Sequence, residues 1–227
     1  MSSVLRGLGP FVELATGPAD DEWLPVARLV DEPELLAARV RSGRTALASL
    51  AGAPVEAVEE RVVTSVVMLG VAARLSAPAI AAAAMCDAVL PVGRLSWRDG
   101  QPGPVPLLLP TSAHVPPGDA DGLHAALVED VLARLVDTAR ALAPLAPSLL
   151  WGNAASGIAG AAGALARARP SVAGAAYGVA DALLARPPLR GAGAFAPGRR
   201  FRRGTCCLYY RLPGGGTCGD CPLPARA

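Results

Sequence analysis

Residues 149–165 read LLWGNAASGIAGAAGAL, a run without a charged side chain in which glycine, alanine and serine dominate. Alanine is the residue most favourable to helix. Gly152, Ser156, Gly160 and Ala164 recur every four residues, which places them on one face of a helix. The stretch therefore predicts a helical protein, and we expect a second helix to pack closely against this smooth face.

The same alanine-rich character extends over much of the chain, in which 52% of residues are hydrophobic but only 4% are aromatic. Helices are predicted from about Pro33, over residues 53–75, and again after Ser76. Residues 118–144 predict a strongly amphipathic helix. Its apolar positions are Leu123, Leu127, Val131, Leu135 and Leu142. Residues 171–187 predict a further helix.

The pattern changes between these helices. Residues 89–110 read VLPVGRLSWRDGQPGPVPLLLP, with short apolar runs separated by Asp-Gly and Pro-Gly. Such punctuation is typical of short strands joined by turns. The expected fold class is mainly α, with a small β insertion near residues 88–110. We expect a helical domain over residues 1–186 and an Arg-rich linker or extended arm with a cysteine-rich segment over residues 187–227.

One segment requires a test for membrane insertion. Residues 141–166 carry no charge and are long enough to span a bilayer. Pro144, Pro147, Asn153 and several glycines keep the hydrophobicity weak, so we interpret the segment as a buried helix of a soluble protein. The start of the sequence has no pattern of a secretory signal. The expected location is the cytoplasm, with at most peripheral membrane association.

Four of the five cysteines lie in residues 206–223, CCLYYRLPGGGTCGDCPL. A Cys-x-x-Cys loop brings two thiolates to one metal, and Gly219 relieves its turn. Adjacent cysteines suit a zinc knuckle poorly, because their Cα atoms are ~3.8 Å apart and their side chains tend to diverge. They suit a cluster with two iron atoms, and four thiolates are the ligand count of a 2Fe–2S centre. Structural zinc and a redox-active disulfide remain the alternatives.

Charge divides the chain at the same place. Residues 186–227 contain eight arginines against one acid, Asp220, whereas residues 1–185 contain thirteen arginines against eighteen acids. A basic segment beside an anionic cluster would favour its reduced state and could attract anionic ligands or an acidic protein. Because no nucleic-acid-recognition fold accompanies the arginines, we do not expect nucleic-acid binding.

The cysteine segment resembles the C-terminal iron–sulfur motif of the ferric siderophore reductase family, the FhuF-like proteins. LLWGNAASGIAGAAGAL resembles the Trp-Gly-Asn helix of that family, and LSAPAIAAAAMCDAVLP and LSWRDG resemble its general layout. The likeness covers roughly residues 50–227. The Cys-Cys-x10-Cys-x-x-Cys pattern is its specific element, and no cysteine departs from it.

The resemblance implies a cytoplasmic oxidoreductase that transfers one electron from a 2Fe–2S cluster to a ferric siderophore. It implies that the cluster ligands are Cys206, Cys207, Cys218 and Cys221. Candidate substrate-binding residues are Trp151, Asn153, Arg202, Arg203 and Arg211. Since no flavin or nicotinamide signature is present in the sequence, we expect a separate protein to donate the electrons. The competing functions are a generic 2Fe–2S electron carrier and a zinc-stabilised binding protein.

Overall fold

A computed structural model describes residue 5 and residues 7–99 and 103–223. These residues are mainly helical, as the composition predicts. The helices are α1 (Val26–Asp31), α2 (Pro33–Leu50), α3 (Glu60–Cys86), α4 (Ala120–Leu123), α5 (Ala133–Leu142), α6 (Pro147–Ala168) and α7 (Ala173–Leu184). A π-helical segment, His124–Leu132, joins α4 to α5 without a break. The first four of the predicted apolar positions along this unit are buried, and Leu142 is half-buried.

Helix α3 is the centre of the fold, and it corrects the sequence prediction. The two helices expected on either side of Ser76 are one helix of 27 residues that continues through Pro78. Proline removes a backbone donor and normally kinks or ends a helix. Here Ala77, Ala79 and Ile80 are buried with it. Apolar packing around Pro78 therefore offsets the missing hydrogen bond.

The closest approach of α6 to α3 occurs at Gly157. A Cβ atom added there would lie 2.8 Å from the backbone nitrogen of Ala73. This differs from the prediction, which placed the helix contact on the face of Gly152 and Gly160. Small residues occur on several faces of α6. The composition of α6 therefore predicts close helix packing but does not identify the face that contacts another helix. Gly152 instead faces the C-terminal segment, and Gly160 is exposed.

A four-stranded sheet covers one end of the helices in the order β1-β4-β3-β2. The strands are β1 (Ala15–Gly17), β2 (Leu24–Pro25), β3 (Ser96–Trp97) and β4 (Leu107–Pro110). Strands β1 and β4 are parallel, whereas the other two pairings are antiparallel. The predicted strand region contains β3 and β4, while β1 and β2 are too short for periodicity to reveal. The turn predicted at residues 100–102 lies outside the described residues.

Arg74 joins α3 to this sheet. Its guanidinium donates to the carbonyl oxygens of Val105, Phe11 and Glu13 at 2.6–2.7 Å. Burial lowers the pKa of Arg74 to about 10, because a low dielectric disfavours the charged form. Two of these bonds hold the N-terminal segment against the long central helix, and the third holds the segment before β4.

The segment that was predicted to be a linker or extended arm contains a β-hairpin. Strand β5 (Gly193–Phe195) pairs antiparallel with β6 (Phe201–Arg203). The ring of Phe195 makes edge-to-face contacts with Tyr177 of α7 and with Phe201, both with centroids 5.4 Å apart. The hairpin is therefore attached to the helices and carries the chain into the cysteine segment.

Helices α3 and α6 are each long and apolar enough to cross a membrane by length and composition. In both, 67% of the most apolar window is buried inside the protein. Most of each window therefore lies in the core, as the interpretation of residues 141–166 as a buried helix expects.

Candidate iron–sulfur site

The four clustered thiols lie directly after β6, in a segment with little regular structure. Cys207 is buried, whereas Cys206, Cys218 and Cys221 are half-buried. The Sγ atoms of Cys207 and Cys218 are 3.5 Å apart, well beyond the ~2.05 Å of a disulfide. Cys206 lies close enough to Cys207 and Cys221 to interact with them electrostatically. Both halves of the motif therefore meet, and all four cysteines are free thiols.

The glycine-rich bend predicted between the halves is what allows them to meet. Gly214 has a φ of +69°, a left-handed conformation that favours glycine. At Gly215 an added Cβ would lie 2.6 Å from the carbonyl oxygen of Tyr209 and 2.9 Å from that of Leu212. Only a residue without a side chain fits so close to the backbone. Leu208 also adopts a positive φ, of 67°, directly after the cysteine pair.

A buried polar chain connects this segment to the helical core. The Arg203 Nη2 atom donates to Asn153 Oδ1 at 2.5 Å, and Asn153 Nδ2 donates to the Ser65 carbonyl oxygen and Oγ at 2.9 and 3.0 Å. Ser65 Oγ in turn donates to the carbonyl oxygen of Cys207 at 2.8 Å. Asn153 of α6 therefore connects β6 to α3, and Ser65 of α3 continues the chain to the backbone of Cys207.

Arg203 has two further donors that no described group satisfies. Its Nε and Nη1 atoms are buried without a hydrogen bond. The nearest anion, Asp220 Oδ2, lies 3.8 Å from Nε, beyond hydrogen-bonding range. A buried cation with unpaired donors is costly unless a negative group accompanies it. Arg203 acts electrostatically on Cys206, so its charge is directed at the thiol site.

The pKa shifts of the thiols indicate what the site needs. Burial is the largest cause that raises the pKa of Cys206. Burial also raises the pKa of Cys218, with contributions from Asp220 and Cys207. Thiolates are unfavourable here without a compensating cation, and iron supplies that compensation. The donor set and the unpaired arginine donors therefore fit an anionic iron–sulfur cluster.

The thiols are linked as a series of neighbours, because Cys206 interacts with Cys207 and Cys221, and Cys207 lies next to Cys218. Within residues 7–99 and 103–223, no three His, Cys, Asp or Glu side chains converge to hold a single metal ion. A 2Fe–2S cluster presents two iron atoms that share four cysteine ligands. Two thiols for each iron are enough for such a centre.

Gly152, the middle residue of the Trp-Gly-Asn sequence, allows the segment to dock. A Cβ at this position would lie 2.3 Å from Thr205 Oγ1. That hydroxyl donates to the carbonyl oxygen of Ser148 on the same helix at 3.0 Å. The first residues after β6 therefore lie directly on the surface of α6.

The structure brings some candidate substrate-binding residues to the thiols and directs others elsewhere. Asn153 and Arg203 are buried and bonded to each other, and Trp151 is half-buried against the core. The side chain of Arg202 donates to the Pro222 carbonyl oxygen at 3.0 Å. The side chain of Arg211 forms an ion pair with Glu59, at the start of α3, at 2.6 Å. Direct contact with a substrate stays a prediction for all five.

Ser65 is a member of the site that sequence reasoning missed. It is fully buried in α3, between Thr64 and Val66. A polar residue on the buried face of an apolar helix is the one signal that could have indicated a partner, since buried hydroxyls are nearly always hydrogen-bonded. That signal does not identify the partner, which lies 142 positions away in the chain.

Comparison with known proteins agrees with the thiol geometry. The family model for the FhuF 2Fe-2S C-terminal domain matches residues 203–223. None of the curated proteins matches the chain. The matched residues begin at Arg203 and include all four clustered cysteines. The C-terminal segment is therefore a 2Fe–2S domain of the FhuF type, the family that the cysteine spacing resembles.

Proposed function

We propose that this protein is a ferric siderophore reductase of the cytoplasm. In this proposal Cys206, Cys207, Cys218 and Cys221 hold a 2Fe–2S cluster. The observation that carries it is the docking of the FhuF-type segment on α6, with a buried and partly unpaired arginine directed at the thiols. The helical domain, residues 1–186, would provide the platform, and residues 187–227 would provide the redox segment.

The chemistry needs only one electron for each iron released. Siderophores hold Fe(III), a hard cation, through oxygen ligands, and they hold Fe(II) much more weakly. A 2Fe–2S cluster supplies one electron at a time. The balance is therefore one electron from a separate reductant protein to the chelated Fe(III), which leaves as Fe(II), and no bond of the chelator has to break.

The residues of this chain prepare that transfer. Arg203 stabilises additional negative charge at the thiol site, because it is a buried cation without a full set of partners. Asn153 fixes the guanidinium, and Ser65 fixes the backbone of Cys207. Both are anchored on long core helices, so they hold the guanidinium and the Cys207 backbone in place.

The proposal is tested on protein purified without oxygen. We expect a red-brown protein with about two iron and two sulfide per chain. After reduction with dithionite and removal of the excess, a ferric siderophore should reoxidise the protein while an Fe(II) chelator develops its colour. A colourless protein with one zinc per chain would overturn the proposal. Reduced protein that no ferric chelate reoxidises would instead favour the generic electron carrier.

A further inference from the structure

A cleft of about 390 Å³ opens on α6 beside the thiol site. Its floor includes Gly160 and Gly163, and one wall is formed by Gly219 and Asp220. These last two are the residues between Cys218 and Cys221 in the motif. A molecule in the cleft would therefore contact the loop that carries Cys218 and Cys221.

The opposite wall is aromatic and is held in place by its own contacts. Tyr177, Phe195 and Phe201 all line the cleft, and their rings pack edge to face. The guanidinium of Arg199 lies 4.9 Å from the ring centroid of Tyr177 and donates to Asp181 at 2.7 Å. This wall is preorganised, which reduces the cost of ordering side chains when a ligand binds.

The side chains that line the cleft carry an excess of positive charge. Asp220 is the one acid among the lining residues and faces Arg203 behind the wall. Arg199 is paired with Asp181, as described above. Arg167 and Arg200 also line the cleft. Neither forms an ion pair with another residue that the structure describes. The Arg167 Nη1 atom lies 3.4 Å from the position of an added Gly163 Cβ, so this side chain extends over the floor.

We propose that this cleft binds the ferric chelate and selects chelates with a net negative charge, such as carboxylate and catecholate complexes. The inference rests on the proposed function and assigns a place and a substrate class to it. Two unpaired guanidiniums attract the anion, the aromatic wall packs against the apolar parts of the chelator, and the small residues of α6 leave room for a bulky complex. A separate reductant protein would then dock elsewhere on the cysteine segment.

Binding is separated from reduction by using Ga(III) complexes, which match the charge and shape of the Fe(III) complexes but accept no electron. Gly160→Leu is the blocking variant. A Cβ at Gly160 meets no atom within 4 Å, so the new side chain enters the cleft without disturbing the fold. Gly174→Leu is the matched control, because Gly174 is an exposed glycine of α7 with equally open surroundings that does not line the cleft.

In equilibrium dialysis with a Ga(III) tris-catecholate, wild-type protein and Gly174→Leu should show saturable binding. Gly160→Leu should lose it, while both variants keep the iron and sulfide content and the visible spectrum of wild type. Absence of saturable binding to wild type would overturn the inference. Equal binding by Gly160→Leu and wild type would overturn it as well, even if ferric chelates reoxidise the reduced protein.

The charge preference has its own test. The double variant Arg167→Gln/Arg200→Gln should bind the anionic Ga(III) tris-catecholate about tenfold more weakly at low salt. Its affinity for a neutral Ga(III) trihydroxamate should stay unchanged. Arg169→Gln, an exposed arginine close to Arg167 that does not line the cleft, is the control. An equal loss for both complexes would overturn the charge selection. Failure of every ferric chelate to reoxidise the protein would instead overturn the proposed function.

Discussion

Helix α6 has two interfaces that use glycine in different ways. On the side of α3, Gly157 allows backbone-to-backbone packing among buried alanines such as Ala72 and Ala161. On the side of the cysteine segment, Gly152 allows Thr205 to lie on the helix, and Asn153 binds Arg203. The first interface is mainly apolar and extends along the helix, with the bonds between Asn153 and Ser65 as its polar contact. The second relies on hydrogen bonds at the N-terminal half of α6, while Leu208 and Leu212 of the cysteine segment are buried in the core.

The difference has an energetic consequence. Apolar packing contributes roughly in proportion to the buried area, so the α3–α6 interface stabilises the helical domain without metal. A typical hydrogen bond contributes only about 1 kcal/mol net, and a segment with little regular structure loses much conformational entropy when it is ordered. We therefore expect the cysteine segment to depend on its cluster to stay folded more than the helices do.

Replacement of one thiol should produce the largest effect and should separate the two regions. In Cys218→Ser we expect loss of the cluster, seen as loss of visible absorbance and of iron and sulfide, because one of the four thiolates is missing. Far-ultraviolet circular dichroism should show that the helices remain. Limited proteolysis should cut the chain after β6 and leave the residues up to about Arg203 as a stable body.

Cys86→Ser is the control for that experiment, because Cys86 is a half-buried thiol at the end of α3, outside the cluster motif. It should keep the full cluster. Cooperative loss of the helices together with the cluster in Cys218→Ser would show that the two regions form one folding unit.

The sequence predicted these two regions with unequal success. Cysteine spacing can be recognised directly in the sequence, so the four thiols followed from it, and the resemblance to the FhuF-like family indicated the kind of centre, which the family match supports. Long alanine-rich helices were likewise predicted, because periodicity extends over many residues. The face of α6 that meets α3 was predicted wrongly, since Gly152, Gly157 and Gly160 are equivalent in composition and differ only in their neighbours.

Long-range polar contacts could not be predicted at all. Ser65, Asn153 and Arg203 lie far apart in the chain and meet only because α3, α6 and β6 cross at one place. In the structure Arg203 is 2% exposed, whereas Arg199, Arg200 and Arg202 are exposed, so burial divides residues that the sequence presents as equivalent.

Because Arg203 is buried and Arg202 is exposed, we expect their replacement to have unequal effects on the reduction potential of the cluster. Arg203→Gln should lower the potential on the order of 50 mV, near the 59 mV that corresponds to a tenfold change for one electron, because a buried cation no longer stabilises the reduced state. Arg202→Gln, the adjacent and exposed residue, should change the potential far less, since solvent and salt screen its charge. Potentiometric titration of both variants measures the difference.

The salt dependence of those potentials is a second test of the difference between the buried Arg203 and the exposed Arg202. The difference between Arg203→Gln and wild type should persist at high ionic strength, because a buried charge is poorly screened. Equal shifts for Arg202→Gln and Arg203→Gln would show that the arginines act collectively from the surface and that the Asn153 contact has no electrostatic role.

The smallest expected effect is also the sharpest test of the two interfaces of α6, because it changes one hydrogen to a methyl group. In Gly152→Ala the new Cβ would lie 2.3 Å from Thr205 Oγ1, which must then give up its bond to Ser148. We expect docking of the cysteine segment to weaken by about 1 kcal/mol after the higher helix propensity of alanine is included. Chelator-promoted loss of the cluster should therefore be several-fold faster, while urea unfolding of the helices, followed by circular dichroism, should shift to slightly higher urea.

Gly160→Ala, on the same helix but in open space, should gain only the helix propensity of alanine and lose its cluster at the wild-type rate. Adding Thr205→Ala to Gly152→Ala removes the colliding hydroxyl and should restore part of the lost protection. If Gly152→Ala and Gly160→Ala lose their clusters equally fast, Thr205 does not hold the segment on α6, and the polar chain through Asn153 is its principal attachment.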